Sequence, residues 1–201
     1  MTGGEAGWDG ARVGILGGTF DPPHTGHVRM AVEARRVLGL DHVFLSPAPH
    51  PPHKTGEVVS PLADRRAMLA AAIAGEDGLS LTDIEHAAGP SYTADLLRLA
   101  RSRTAADIYF IMGADSLADL ASWRDPGDIL RLCTVVVFPR DGAPLRVPVA
   151  GDASVVVFES PVVDVSSTEL RTALARGVCP PDLIAPAVAD YIAQHRLYHR
   201  V

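Results

Sequence analysis

Residues Gly17–His27 read GGTFDPPHTGH. They follow a short apolar run, VGIL (Val13–Leu16). They precede a stretch in which Met30, Ala31, Ala34, Val37 and Leu38 form one apolar stripe, ended by Gly39. A buried strand, a glycine pair, a turn and a helix in that order open a βαβ unit. In an open α/β sheet, ligands bind beyond the carboxyl ends of the strands. Gly17 and Gly18 stand at such an end, and without Cβ atoms they permit close approach to the backbone. The helix beginning near Thr25 turns its free N–H groups and positive dipole end toward the same crevice, which makes an anion site. His27 heads the apolar stripe and is expected to point toward the sheet, with His24 one turn earlier on the same side. Two imidazoles in that position can donate hydrogen bonds to phosphate oxygens.

The rest of the chain repeats the alternation. VFL (Val43–Leu45), IYFIM (Ile108–Met112), TVVVF (Thr134–Phe138) and VVVF (Val155–Phe158) are runs rather than alternations, as in parallel strands covered on both faces, and a weaker strand is expected within Leu79–Glu85. Helices are expected at Leu62–Ala74, at Tyr92–Ala100 capped by Ser91, at Ser167–Ala175 with a capping box from Ser166 to Glu169, and at the C-terminus, where Ile184, Val188, Tyr191 and Ile192 share a side. The fold class that follows is α/β, a doubly wound, Rossmann-like parallel sheet with a small helical C-terminal part. Residues 1–10 read as a flexible N-terminus and 11–201 as a single domain. Ser46–Pro61, proline-rich and polar, is long enough to be functional or mobile, and Asp141–Ala153 reads as a peripheral loop.

Composition narrows the partners. The chain is 47% hydrophobic and 21% charged, with a formal charge of −6 and no Lys/Arg-rich run, which disfavours nucleic acid. Cys133 and Cys179 have neither a C-x-x-C partner nor regular spacing, so a reducing compartment is expected. No apolar stretch approaches the ~20 residues of a membrane span, and no signal peptide opens the chain; a cytoplasmic protein is expected. Homo-oligomerisation is left open. The Walker string G-x-x-x-x-G-K-[ST], the dinucleotide string G-x-G-x-x-G and a G-x-S-x-G nucleophile are all missing from the sequence. His24, His27, His50 and His53 could supply nitrogens to zinc, but no cysteine is near them.

HTGH fits H-x-G-H, and GGTFDPPHTGH resembles the same stretch of the bacterial nicotinate-nucleotide adenylyltransferases, a branch of the H-x-G-H nucleotidyltransferase superfamily. The resemblance runs nearly end to end. PPHK (Pro51–Lys54) is similar to that family's substrate loop, ADRRAML (Ala63–Leu69) to its R-x-x-M helix, and GPSYTADLL (Gly89–Leu97) to its nicotinate segment. GADSLADLASW (Gly113–Trp123) is similar to its adenosine-side loop, and VSSTELR (Val165–Arg171) to its second signature, usually I-S-S-T-x-I-R. Two departures stand out. RDPGDIL follows Trp123 where family members often carry another aromatic within Arg124–Pro126, and CPPDLIAP replaces a more usual R-Y-L-V-P.

The resemblance implies transfer of the adenylyl group of ATP to nicotinate mononucleotide, giving deamido-NAD and pyrophosphate by direct in-line attack. The acceptor phosphate is mostly dianionic at neutral pH, with a second pKa of about 6, so neither a general base nor a covalent nucleophile is needed. His24, His27 and Arg171 are the implied catalytic residues. Gly17, Gly18, Thr19, Phe20, Gly113, Asp115, Ser166, Ser167 and Thr168 join them around ATP. Lys54, Ser91, Tyr92, Thr93 and Trp123 are implied for the mononucleotide. Mg²⁺ is expected with ATP, carried by phosphate oxygens and water rather than a protein cage. Other acceptors, nicotinamide mononucleotide or phosphopantetheine, would keep the chemistry; a nucleotide-sensing module would lack turnover.

Overall fold

VGIL forms the middle of β1 (Arg12–Gly18), the strand next to the centre of a six-stranded sheet. The computed structural model describes residues 7–51, 59–82, 84, 91–139, 155–159 and 165–198. β2 (His42–Pro47) and β4 (Asp107–Gly113) flank β1, β3 (Leu79–Leu81) lies outside β2, and β5 (Thr134–Phe138) and β6 (Val155–Val157) follow β4. Every pairing is parallel, in the order β3-β2-β1-β4-β5-β6. The order reverses between β1 and β4, so a crevice opens there at the strands' carboxyl ends.

Successive β1 side chains point to opposite faces, and both faces are covered. Val13 and Ile15 join Phe44, Phe110, Val135 and Val137 in one cluster with α3 (Thr93–Arg103) and α5 (Pro126–Leu132). Leu16 joins Val43, Leu45, Ile111 and Val136 in the other, with α1 (Thr25–Leu38) and α2 (Leu62–Ala72). Double coverage is why these strands read as continuous apolar runs. Gly39 ends α1 in the left-handed conformation (φ 60°), where a Cβ would be strained. A third cluster packs Met68 of α2 against α6 (Ser167–Leu174) and α7 (Pro186–Gln194) through Leu170, Leu174, Val188 and Ile192, the small helical C-terminal part.

Several details differ from expectation. Tyr92, not Ser91, occupies the N-cap of α3, because the Ser91 hydroxyl is taken by the N–H of His50 (3.0 Å). Two short helices, α4 (Ala114–Asp119) and α5, stand where no helix is expected, joined by a 3₁₀ turn at Leu120–Ser122. The N-terminal segment is not wholly loose: Trp8 is 6% exposed and its ring stacks on Phe44 at 4.0 Å. Residues 52–58 of the proline-rich loop and the loop 141–153 lie outside the described residues, as does part of Leu79–Glu85 beyond β3. Both cysteines are free, and among the described residues no helix is long and apolar enough to cross a membrane.

Trp8→Ala is expected to cost about 3 kcal/mol, since it empties a buried aromatic site. Urea denaturation of the variant beside the parent chain measures it, and a flexible tail would leave the midpoint where it was.

Candidate active site

The end of β1 divides two cavities. Gly17, Gly18, Met112 and Ser116 line both. One, about 290 Å³, runs from these residues to His24, Gly26, His27, Gly113, Asp115, Ser166 and Ser167. The other, about 480 Å³, runs to Thr19, Ser46, Ser91, Tyr92, Thr93 and Trp123. The glycine pair has a packing reason too: a Cβ on Gly17 would meet Phe110 at 3.0 Å, and one on Gly18 would meet the Phe20 ring at 3.0 Å.

HTGH winds the start of α1 into the smaller cavity. The N–H of Thr25 is bonded to the Leu183 carbonyl (2.9 Å) and that of His27 to the His24 carbonyl (3.0 Å). Between them, the N–H of Gly26 has no partner among the described residues, and Gly26 lines the cavity. A Cβ on Gly26 would sit 3.0 Å from His24 Nδ1, so glycine is what lets the His24 ring lie over the helix start. The two imidazoles stack with centroids 3.7 Å apart, and Phe20 meets His27 edge-on at 4.8 Å. Nδ1 of His27 accepts from the His24 N–H (3.3 Å), which leaves the ring proton on Nε2. Burial first, and the neighbouring His24 second, hold the His27 pKa well below its ordinary value, so the ring is neutral at pH 7. A neutral Nε2–H is a donor that carries no charge of its own.

The second signature braces the first. Ser166 and Glu169 form the expected capping box: the Glu169 N–H donates to Ser166 Oγ (3.2 Å), and the Ser166 N–H donates to Glu169 Oε2 (3.1 Å). Ser167 Oγ donates to the Pro22 carbonyl (2.9 Å) and Arg171 Nη1 to the Asp21 carbonyl (2.9 Å). Arg171 also donates to Thr168 Oγ1 (3.2 Å), and both line a separate cavity beside α6. Asp21 is 2% exposed, and its carboxylate accepts from the Tyr198 hydroxyl (2.6 Å) and the Ser60 N–H (3.2 Å). Burial, and then the bond to Asp21, push the Tyr198 pKa up, which keeps its proton in place.

Across β1, Arg65 is 1% exposed. Its guanidinium donates to the carbonyls of Thr19 (2.8 Å), Ala48 (2.8 Å), Ser60 (2.9 Å) and Pro49 (3.2 Å). Thr19 and Ala48 are walls of the larger cavity. Ser91 ties the same wall to α3 through two bonds with His50, each 3.0 Å. The Ser46 hydroxyl is buried there without a hydrogen-bond partner among the described residues.

Known proteins similar to this chain show its family and fold. The cytidylyltransferase-like family matches residues 15–173. A probable nicotinate-nucleotide adenylyltransferase of Dehalococcoides mccartyi (strain ATCC BAA-2266 / KCTC 15142 / 195) is 41% identical, covering 94% of this chain and 98% of that one. The chain belongs to the nicotinate-nucleotide adenylyltransferase family. Another relative so named, from Synechococcus sp. (strain JA-3-3Ab), is 40% identical over 93% of this chain and 94% of that one. Among solved structures, Plasmodium falciparum nicotinic acid mononucleotide adenylyltransferase complexed with NaAD superposes with a TM-score of 0.79 at 19% identity, covering 93% of this chain and 97% of that one. That likeness shows the fold.

The structure brings most of the residues singled out from the sequence to the two cavities. Gly17, Gly18, His24, His27, Gly113, Asp115, Ser166 and Ser167 gather at one cavity, and Ser91, Tyr92, Thr93 and Trp123 at the other. Thr19, grouped with the ATP residues from the sequence, lines the larger cavity. Phe20 lines neither; it is 1% exposed and props His27. Thr168 and Arg171 turn to their own cavity, and Lys54 lies outside the described residues. Among the described residues no group of three or more His, Cys, Asp or Glu gathers as a metal cage, and His24 and His27 face each other rather than a common centre. Gly26, Ser46, Arg65, Ser116 and Arg124 were given no role from the sequence; Gly26 as the middle of HTGH, Arg65 as the arginine of the R-x-x-M string and Arg124 as the residue after Trp123 each carry a local signal.

His27→Asn removes a ring whose native pKa is depressed. As pH falls below about 6.5, the unfolded chain takes up that proton before the folded one does, so stability drops down to the native pKa. The loss in urea midpoint between about pH 7.5 and about pH 5.5 is therefore expected to be smaller in the variant than in the parent chain.

Proposed function

We propose that this chain transfers the adenylyl group of ATP to nicotinate mononucleotide, releasing pyrophosphate and forming deamido-NAD. The observation that carries the proposal is the pair of cavities meeting at Gly17 and Gly18, with both HTGH histidines in one of them. The names of the 41% and 40% identical relatives support the same acceptor.

The chemistry needs little more than placement. An oxygen of the acceptor phosphate attacks the α-phosphorus of ATP in line. The bond to the β-phosphate bridging oxygen breaks, and the electron pair leaves with pyrophosphate. Catalysis comes from holding two anions together and neutralising the charge that develops. Gly26 N–H and the Nε2–H of His27 are donors on the nucleotide side, with His24 beside them. Ser166 and Ser167, at the start of α6 and in the same cavity as the histidines, receive the β- and γ-phosphates, while Arg171, in the last turn of α6, lends positive charge from the cavity beside it that it lines with Thr168. Mg²⁺ arrives with ATP; Asp115, the carboxylate lining the nucleotide cavity, and the phosphate oxygens offer the hard oxygen ligands that ion prefers. When bound, it screens phosphate charge and shapes the leaving group.

Pyrophosphate release by metal-stripped protein with ATP and nicotinate mononucleotide is expected to require added Mg²⁺; release with neither nicotinate nor nicotinamide mononucleotide would overturn the assignment. His27→Ala is expected to lower kcat by roughly 100-fold, the scale of a lost transition-state donor, with a much smaller change in mononucleotide affinity by calorimetry. Unchanged turnover would remove His27 from the mechanism.

A further inference from the structure

The larger cavity would receive a molecule with an anionic group at each end. Among its described lining residues one side chain is charged, that of Arg124. Arg124 directly follows Trp123, and its guanidinium carbon lies 4.7 Å from the centroid of the Tyr92 ring, at the N-cap of α3. Asp125, in the left-handed conformation (φ 50°), and Pro126, which opens α5, fix the turn behind it.

The carboxylates around Arg124 do not use it up. Nη1 reaches Asp95 at 3.4 Å and Nε approaches Asp125 at 3.9 Å. Both acids are already held more closely by Arg98, at 2.8 Å each, and Arg98 also binds Asp128, which takes a further contact from Arg131 (2.9 Å). Nη2 of Arg124 has no partner among the described residues, and the side chain is 52% exposed, so a ligand in the cavity can reach it.

We propose that Arg124 pairs with the carboxylate on the pyridine ring of the acceptor, and so selects the acid over the amide. This rests on the acceptor assigned above. A guanidinium carries only donors and suits the two oxygens of a carboxylate. A carboxamide offers it one uncharged oxygen and turns an NH₂ group, also a donor, toward it. The cation stands where family members often carry an aromatic, so beside Trp123 this cavity carries a charge in place of a second ring.

The test is initial-rate pyrophosphate release at saturating ATP and Mg²⁺, over ranges of nicotinate and nicotinamide mononucleotide. The parent chain, Arg124→Gln and Arg124→Lys are compared, each first checked for an unaltered thermal midpoint. Arg124→Gln is expected to lower the acid-to-amide ratio of kcat/KM by about tenfold or more, mainly through KM for the acid, the scale of a lost charge-assisted hydrogen bond. Arg124→Lys is expected to recover part of that ratio. Equal losses with both mononucleotides would overturn the proposal and assign Arg124 to the acceptor phosphate or to packing. A parent chain with no preference for the acid would overturn it while adenylyl transfer stood. A parent chain inactive with both would bring down the acceptor assignment itself.

Discussion

Arg65 is 1% exposed and donates to four main-chain carbonyls, those of Thr19, Ala48, Pro49 and Ser60. They belong to the turn after β1, the stretch after β2 and the lead into α2. A charge taken out of water is tolerated only when its donors are satisfied, and a fork of fixed geometry satisfies four acceptors only if all are in place. Burial pulls the pKa of this guanidinium down, while Asp21 and Tyr198 pull it up. The buried cation thus ties together the two loops that wall the larger cavity. Lysine, with a single point of attachment, could not bridge the same set.

Asp21 and Pro22 do for the smaller cavity what Arg65 does for the larger one. Their carbonyls accept from Arg171 and Ser167 of the second signature, and the Asp21 carboxylate accepts from Tyr198 near the C-terminus. Two motifs some 145 residues apart in the chain (Pro22 and Ser167) are therefore one piece of architecture. At the HTGH helix start, Thr25 is held from outside its own βαβ unit by the Leu183 and Asp182 carbonyls, while His24, His27 and Phe20 brace one another within it. Such over-determination is what lets donors stay aimed without reorganising during a reaction.

The sheet was legible because its strands are buried on both faces and read as apolar runs, and α1 because Gly39 and its stripe mark it plainly. The short α4 and α5, of 6 and 7 residues, are too brief to show a helical period. Trp8 sits among glycines and polar residues, and its partner Phe44 lies in another strand. Arg65 reads as the polar face of a helix; nothing local says that four carbonyls surround it. Ser91 looks like an N-cap after Pro90, yet its hydroxyl is committed to His50, a contact that sequence spacing cannot reveal. What the sequence displayed was periodicity and local motif. What it hid was pairing between distant segments.

The chain's two tryptophans stand in opposite surroundings. Trp8 is sealed against Phe44 on one face of the sheet, while Trp123 borders the larger cavity. A soluble quencher such as iodide would reach the second and not the first. The emission of the folded protein therefore divides into a component that follows ligand occupancy and one that changes only when the core opens, with no label added.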